Sequence, residues 1–248
     1  MDISCLPLSH PSQETLPATV ARIQELAELA DTLNALGFQD NSPVLVLVGG
    51  ASGISESDMN YLQKLFVDVL APLIQSLGVV VIDGGTDAGI MKLIGKARTH
   101  IGANFPLLGV AAIDTVVLPD RAPASADAAP LEPNHTHFLL VPGSQWGDES
   151  PWIAKVASTL AKNCPSLTIA INGGNVTWLD LSYSVAANRP IITLAGSGRT
   201  ADKLAAALHG QITDERAIDI LATGQVQAID LRQGIAQLTQ TIEEMLST

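Results

Sequence analysis

Two hydrophobic periods alternate along this chain, and together they predict its elements. Runs that are apolar at nearly every position recur at residues 44–48, 79–83, 107–113, 137–141, 167–171 and 191–195. A strand buried on both faces reads this way, because side chains pointing to either side meet apolar neighbours. Between the runs lie stretches with helical spacing: 56–77, 88–100, 151–162, and another ahead of residue 191. An earlier stretch, 18–36, sets Val20, Ile23, Leu26, Ala27, Ala30 and Leu33 at helical intervals and stops at Gly37. The amphipathic tail 235–246 predicts a covering helix. Residues 114–134, rich in Ala and Pro, predict a surface loop. Strand and helix in alternation predict a doubly wound, mostly parallel sheet. Residues 1–16 read as a flexible N-terminal arm and 17–248 as a single α/β domain without a linker.

Composition sharpens this. Hydrophobic residues make up 47% and aromatics only 4%, so Ala, Val, Ile and Leu must build the core. A net charge of −12 repels nucleic-acid phosphates, and no basic stripe offsets it, so no nucleic-acid partner is expected. The N-terminal residues have no basic region and no apolar core, which argues against a signal peptide. No apolar run is long enough for a membrane span. Cys5 and Cys164 read as free thiols of a reduced compartment, and the expected location is the cytoplasm.

Four predicted strand ends carry glycines: GGASG (49–53), GGTDAG (84–89), NGGNVT (172–177) and GSGR (196–199). In an open parallel sheet these ends share one edge, where ligands bind. Any single turn reads as punctuation, but the set points to an anionic small molecule held by backbone N–H groups. None has the GK[ST] ending of a P-loop, and GGASG is not GxGxxG.

With these turns, the stretches VLVLVGGASG, VVVIDGGTDAGIMKLIGKA, LLGVAAIDTV, LEPNHTHFLLVPG with WGDES, and PIITLAGSGRTADKLA resemble the SLOG superfamily. The nearest branch is the one named for lysine-decarboxylase-like and TRPM-channel cytosolic domains, in its stand-alone prokaryotic form. That resemblance implies a Rossmann-like fold with helices on both faces. It also implies a sensor-type nucleotide-binding protein whose ligand is NAD-derived or ADP-ribose-like. It carries ligand contacts onto Gly49, Gly50 and Ala51, onto Trp146 and Gly147, and onto Arg199. The branch's basic residue after the first glycines is Ser52 here, and its helix arginine is Ile153. A related branch, the cytokinin-activating phosphoribohydrolases, has a PGGxGTxxE turn with a catalytic glutamate. The corresponding turn here is NGGNVTWLD, with Thr177 retained, Asp180 the only nearby acid, and no arginine-lysine pair. A ribosyl-bond hydrolase or transferase is therefore the alternative function.

The expected nucleotide site comprises Gly49, Gly50, Ala51 and Ser52; Asp83, Gly84, Gly85, Thr86, Gly89 and Lys92; Trp146, Gly147 and Glu149; Gly173, Gly174, Asn175 and Thr177; and Gly196, Ser197, Gly198 and Arg199. Asp83 is a candidate for a ribose hydroxyl or for capping its own turn. Lys92 is a candidate for phosphate or for a solvated surface. Ser197 suits a phosphate hydrogen bond better than nucleophilic attack, since no base is paired with it. Asp148 and Glu149 fit two roles equally, complementing a helix dipole or meeting ribose. His135 and His137 would share a face if both lay in a strand, yet no third ligand accompanies them, so a structural pair is expected. No catalytic residue, metal or required cofactor is assigned, and a homo-oligomer is allowed by the Ala-rich composition.

Overall fold

The computed structural model describes residues 2–8, 16–50 and 54–247. Its strands are β1 (Asp2–Leu8), β2 (Leu16–Arg22), β3 (Val44–Gly49), β4 (Val80–Asp83), β5 (Leu107–Ala112), β6 (Val116–Val117), β7 (Ala129–Pro130), β8 (His137–Val141), β9 (Ser166–Ile171), β10 (Ile191–Ala195) and β11 (Val226–Asp230). Its helices are α1 (Leu29–Ala35), α2 (Glu56–Leu65), α3 (Ala71–Leu77), α4 (Gly89–His100), α5 (Ser150–Ala161), α6 (Asn175–Ala186), α7 (Arg199–Leu208), α8 (Arg216–Leu221) and α9 (Ile235–Leu246). Nine strands form one sheet in the order β1-β2-β8-β5-β4-β3-β9-β10-β11. Only the β1–β2 pair is antiparallel.

The apolar runs serve two cores. On β3, Val44, Val46 and Val48 face one layer, which includes α1, α5 and α6. Leu45 and Leu47 face the other, which includes α2, α3, α4 and α9. This is the Rossmann-like, doubly wound α/β architecture, and its period-two alternation within apolar runs is what burial on both faces requires.

Three readings change. Residues 18–36 are not one helix: the chain runs as β2 to Arg22, turns, and enters α1 at Leu29. β2 pairs with β8, matching Thr19 to His137, and that distant ladder overrides the local helical spacing. Leu26, placed on the apolar stripe by helical spacing, is 52% exposed. Within the segment read as an arm, Asp2–Leu8 lies in the sheet as its edge strand, with Leu6 buried against Val20 and Phe138. The helix expected over 56–77 is interrupted at Phe66–Leu70 by a π turn, two residues ahead of Pro72, which cannot donate to the preceding turn. β11, unforeseen, is only partly buried at the opposite edge. Among the described residues no helix is long and apolar enough to cross a membrane.

Candidate functional site

The strand order reverses between β3 and β9, since the chain moves from β3 through β4, β5 and β8 on one side and through β9, β10 and β11 on the other. A crevice opens at such a point beyond the carboxyl ends of the strands. Backbones crowd there: a Cβ on Gly49 would lie 1.9 Å from the Ile171 carbonyl oxygen, so only glycine fits. The Gly50 N–H donates to that same carbonyl at 3.2 Å. Ala51 and Ser52 lie outside the described residues.

A cavity of about 160 Å³ occupies the crevice. Leu47, Val48 and Gly49 form its floor, Gly84, Thr86 and Met91 one side, and Ala111, Thr115 and Ile153 another. Trp146 and Glu149 reach it from the start of α5, and Val176 and Asp180 from successive turns of α6. Five of the expected residues therefore meet: Gly49, Gly84, Thr86, Trp146 and Glu149. Among the described lining residues two are acids and none is a cation.

Both acids are held by neutral donors. Glu149, 7% exposed, accepts from the Gly147 N–H at 2.9 Å, and burial raises its pKa. Asp180, 8% exposed, accepts from the Ser150 hydroxyl at 2.6 Å. Burial pushes its carboxyl up to about 7, against the opposing Ser150 hydrogen bond and helped by the nearby Glu149. Asp148 takes a different role, closing its own turn by accepting from the Ser144 and Gln145 N–H groups. Asp180 was read only as the acid near the NGG turn. The signal that places it is its spacing of four from Val176, one helical turn, which puts both on the cavity face of α6.

Trp146 is 37% exposed, and its indole N–H donates to Asp127 Oδ2 at 3.0 Å. Gly147, at φ +105°, lets α6 approach: a Cβ there would meet Leu179 at 2.9 Å.

A second group gathers at the start of α6. Asn172 donates its backbone N–H to Ser197 Oγ and its side-chain amide to the Ser197 carbonyl, both at 2.8 Å, locking the NGG and GSG turns together. Ser197 itself is 4% exposed and donates to Leu194, so its hydroxyl is turned into the protein. Gly173 packs on Thr177, whose hydroxyl accepts from the Gly174 N–H at 3.2 Å. Gly198 makes room for the Asn172 amide, and the Gly196 N–H is taken by Asp202. Asn175 accepts from Arg216. Arg199 is exposed, and among the described residues its guanidinium has no hydrogen bond or ion pair. One of its nitrogens lies 3.1 Å from where a Cβ on Gly174 would be, over the first turn of α6. Its backbone holds φ +51°, a conformation that costs a non-glycine residue about 1–3 kcal/mol.

Other expected residues stand apart from the cavity. Asp83 is fully buried; its Oδ1 accepts from the Gly85 N–H at 2.7 Å and meets His135 Nε2 at 2.8 Å, while Oδ2 has no hydrogen-bond partner among the described residues. Gly85, at φ +68°, packs on Gly109 and Phe138. Gly89 opens α4, and Lys92 pairs with Asp87 at 2.9 Å.

His135 and His137 do not share a face, because His135 precedes β8 and lies in a turn. His135 sits between two buried acids, with Nδ1 at 2.8 Å from Glu132 and Nε2 at 2.8 Å from Asp83. Burial disfavours its charge, yet Asp83 and Glu132 outweigh that and raise its pKa to about 9. His137 bonds Thr136 and tilts against Phe38. Among the described residues no group of three or more His, Cys, Asp or Glu side chains is placed to hold a metal ion, and Cys5 and Cys164 are free.

Compared with known proteins, residues 42–240 match the prokaryotic family described as SLOG in TRPM. The transient receptor potential cation channel subfamily M member 2 of Rattus norvegicus is 22% identical over 206 residues, covering 68% of this chain and 13% of the channel. Its Mus musculus counterpart is 23% identical over 198 residues, covering 64% and 13%. The chain thus spans only a small part of those channels. Among solved structures, the X-ray structure of TM1055, a structural-genomics target, is similar with a TM-score of 0.54 and 19% identity, covering 82% of this chain and 99% of that one. At that identity the likeness is one of fold.

Proposed function

We propose that this chain, which belongs to the prokaryotic family described as SLOG in TRPM, is a sensor-type protein that binds an NAD-derived, ADP-ribose-like nucleotide without turning it over. The observation that carries this reading is the separation of charge along the crevice. The cavity presents Glu149 and Asp180 and, among its described lining, no cation. A phosphate inside it would face two acids and no described cation, whereas ribose hydroxyls are donors that acids accept. Arg199, at a positive φ and without a partner among the described residues, stands outside over the first turn of α6, where backbone N–H groups and the helix dipole favour an anion. The ligand therefore lies with a ribosyl group inward and its phosphates toward Arg199, and Trp146 offers a ring face at the mouth. A cavity of about 160 Å³ encloses one such moiety and leaves the rest in the open crevice.

Calorimetric titration of ADP-ribose, AMP and inorganic phosphate tests this. ADP-ribose should bind one to one and more tightly than phosphate, and should be recovered intact. Absence of binding by any nucleotide would refute it.

One observation favours the alternative of ribosyl-bond cleavage. Asp180, protonated up to about pH 7 and facing the cavity, suits a general acid that protonates a departing base. Release of free base from nucleoside monophosphates at about 1 per second or faster, abolished in Asp180→Asn, would establish that reading instead.

A further inference from the structure

Arg189 is 1% exposed, yet it makes no ion pair among the described residues. It stands in the turn between α6 and β10, at the opposite ends of the strands from the crevice. Its bonds go to neutral oxygens. Nε donates to Ser166 Oγ at 3.2 Å, and Nη2 donates to Ser158 Oγ at 3.0 Å and to the Ala154 carbonyl at 3.2 Å. Nη1 is buried and has no hydrogen-bond partner among the described residues. Burial lowers its pKa to about 10, so the charge persists at neutral pH. Arginine is almost never fully buried without an anion, because neutral acceptors replace only part of the lost hydration.

The two hydroxyls that hold Arg189, those of Ser158 and Ser166, both line a groove of about 430 Å³. The chain has 25 acids against 13 Lys and Arg, yet the groove's described lining contains no acid, and its one charge is Lys162. Lys162 shares that charge with Asp40 at 2.7 Å on the exposed rim, so the main uncompensated charge is the guanidinium behind the wall. Ser166 Oγ accepts from Arg189 and donates to no described residue, which leaves its proton for a ligand. Asn188 adds an exposed amide from the turn itself. At the ends of α5 and α6, the carbonyls of Ser158, Leu160, Ala161, Ser184 and Val185 already accept from backbone N–H groups, so little of the negative character of those ends is left to repel an anion.

We propose that this groove binds a phosphoryl group, as free phosphate or on a small ester, with Arg189 as its counter-charge one hydroxyl removed. A phosphate oxygen accepts from the Ser166 hydroxyl, which itself accepts from Arg189 Nε, so the guanidinium polarises the O–H that it holds. The donors come from three elements: Lys162 from the end of α5, Ser166 from the start of β9 and Asn188 from the turn after α6. A tetrahedral anion has oxygens to meet all three. Arg189 acts through the serine and is a positioning residue.

Cys164 also lines the groove and is a free thiol, which gives a local readout. The full chain is alkylated with iodoacetamide at constant ionic strength. Peptide mass spectrometry follows the rates at Cys164 and at Cys5, which is exposed on the edge strand β1. With a dissociation constant of about 1 mM, phosphate at about 10 mM should slow Cys164 roughly tenfold and leave Cys5 unchanged. Protection by glycerol 3-phosphate at a lower concentration than phosphate assigns the groove to an ester, and the reverse order to the free ion. Arg189→Gln and Ser166→Ala should each abolish the protection, whereas Ser166→Thr, which keeps the hydroxyl, should retain it. Circular dichroism checks folding, and Ser166→Ala decides the matter if the buried Arg189→Gln does not fold. A Cys164 rate that ignores both anions would overturn the proposal, as would protection that survives in folded Ser166→Ala. Equal slowing at Cys5 would overturn it too, since phosphate would then act on both thiols alike and not in the groove.

Discussion

Two pairs of buried acids sit along this sheet, and only one has a cation between its members. Asp83 and Glu132 flank His135 at 2.8 Å on either side. Glu149 and Asp180 have only a backbone N–H and the Ser150 hydroxyl. The first pair is sealed: a Cβ on Gly95 would strike Glu132, and Gly85 is pressed against Phe138. The second lines a cavity. The charged cluster joins β4 to the turn before β8, with Asp83 Oδ2 the one oxygen of Asp83 left without a hydrogen bond among the described residues. The neutral-donor pair raises the energy of the folded state whenever its acids ionise, and a ligand bearing hydroxyl donors would relieve that. Acids compensated by the protein hold the fold together, and acids left uncompensated beside a space single out the candidate site.

The sharpest way to break the comparison is to remove the cation. His135→Ala leaves two buried acids facing each other and should destabilise the protein by about 3–5 kcal/mol in urea unfolding. The pH dependence has a definite sign. His135 has its pKa raised from 6.5 to about 9, so its contribution is complete below 6.5 and is lost as pH rises through 9. The gap between wild type and variant should shrink over that window. A gap independent of pH would mean that His135 acts by packing alone.

At the other pair, neutralising an acid should do the opposite. Asp180 has its pKa raised from 3.8 to about 7, so the folded state is favoured by its protonation below 3.8 and loses that advantage as pH rises through 7. Asp180→Asn keeps an acceptor for Ser150 and cannot ionise. It should match wild type in acid and exceed it by roughly 2–4 kcal/mol above pH 7. If the two proteins show the same stability at every pH, Asp180 is not the strained group described here.

The crevice that forms the candidate site was legible in outline and not in detail, for a physical reason. Glycines at strand ends announce where the backbone must pass closely, and Gly49, Gly84 and Gly174 are found at the crevice. What a side chain does after that depends on distant partners. Asn172 holds Ser197 inward across 25 residues, and the Asp83–His135 bond spans 52. Ser150 reaches Asp180 across 30, so the acid's burial could not be read from the turn it follows. The same limit hid β2, whose alternating Ala18 and Val20 become a strand only because β8 lies beside them. The apolar runs of β3, β4 and β9 needed no such partner to be recognised, because continuous hydrophobicity already requires burial on both faces.

Arg199 tests where the ligand's charge lies. Arg199→Ala should weaken ADP-ribose binding by about 1.5–3 kcal/mol, the worth of a hydrogen bond to a charged group, with no loss of folding stability. Equal affinity in a calorimetric titration would remove Arg199 from the site and leave the cavity without a phosphate anchor.

The smallest effect is expected at the mouth. Asp127 lies in the excursion between β5 and β8, and its carboxyl is kept below the usual range by hydrogen bonds from Ser125 and then Trp146. The indole N–H reaches Asp127 Oδ2 at 3.0 Å in an exposed setting, so water competes for both groups and the bond adds little to folding. Its value is orientation: it fixes which way the Trp146 ring faces before a ligand arrives. Asp127→Ala frees the ring, and the cost appears only on binding, when one orientation must be selected again. The variant should therefore unfold as wild type does and bind ADP-ribose more weakly by no more than about tenfold. The change should also depend on the ligand. Ribose 5-phosphate, which has no base to lie against the ring, should bind wild type and variant equally, whereas ADP-ribose should tell them apart. If both ligands weaken alike, Asp127 acts on the crevice as a whole and not through Trp146.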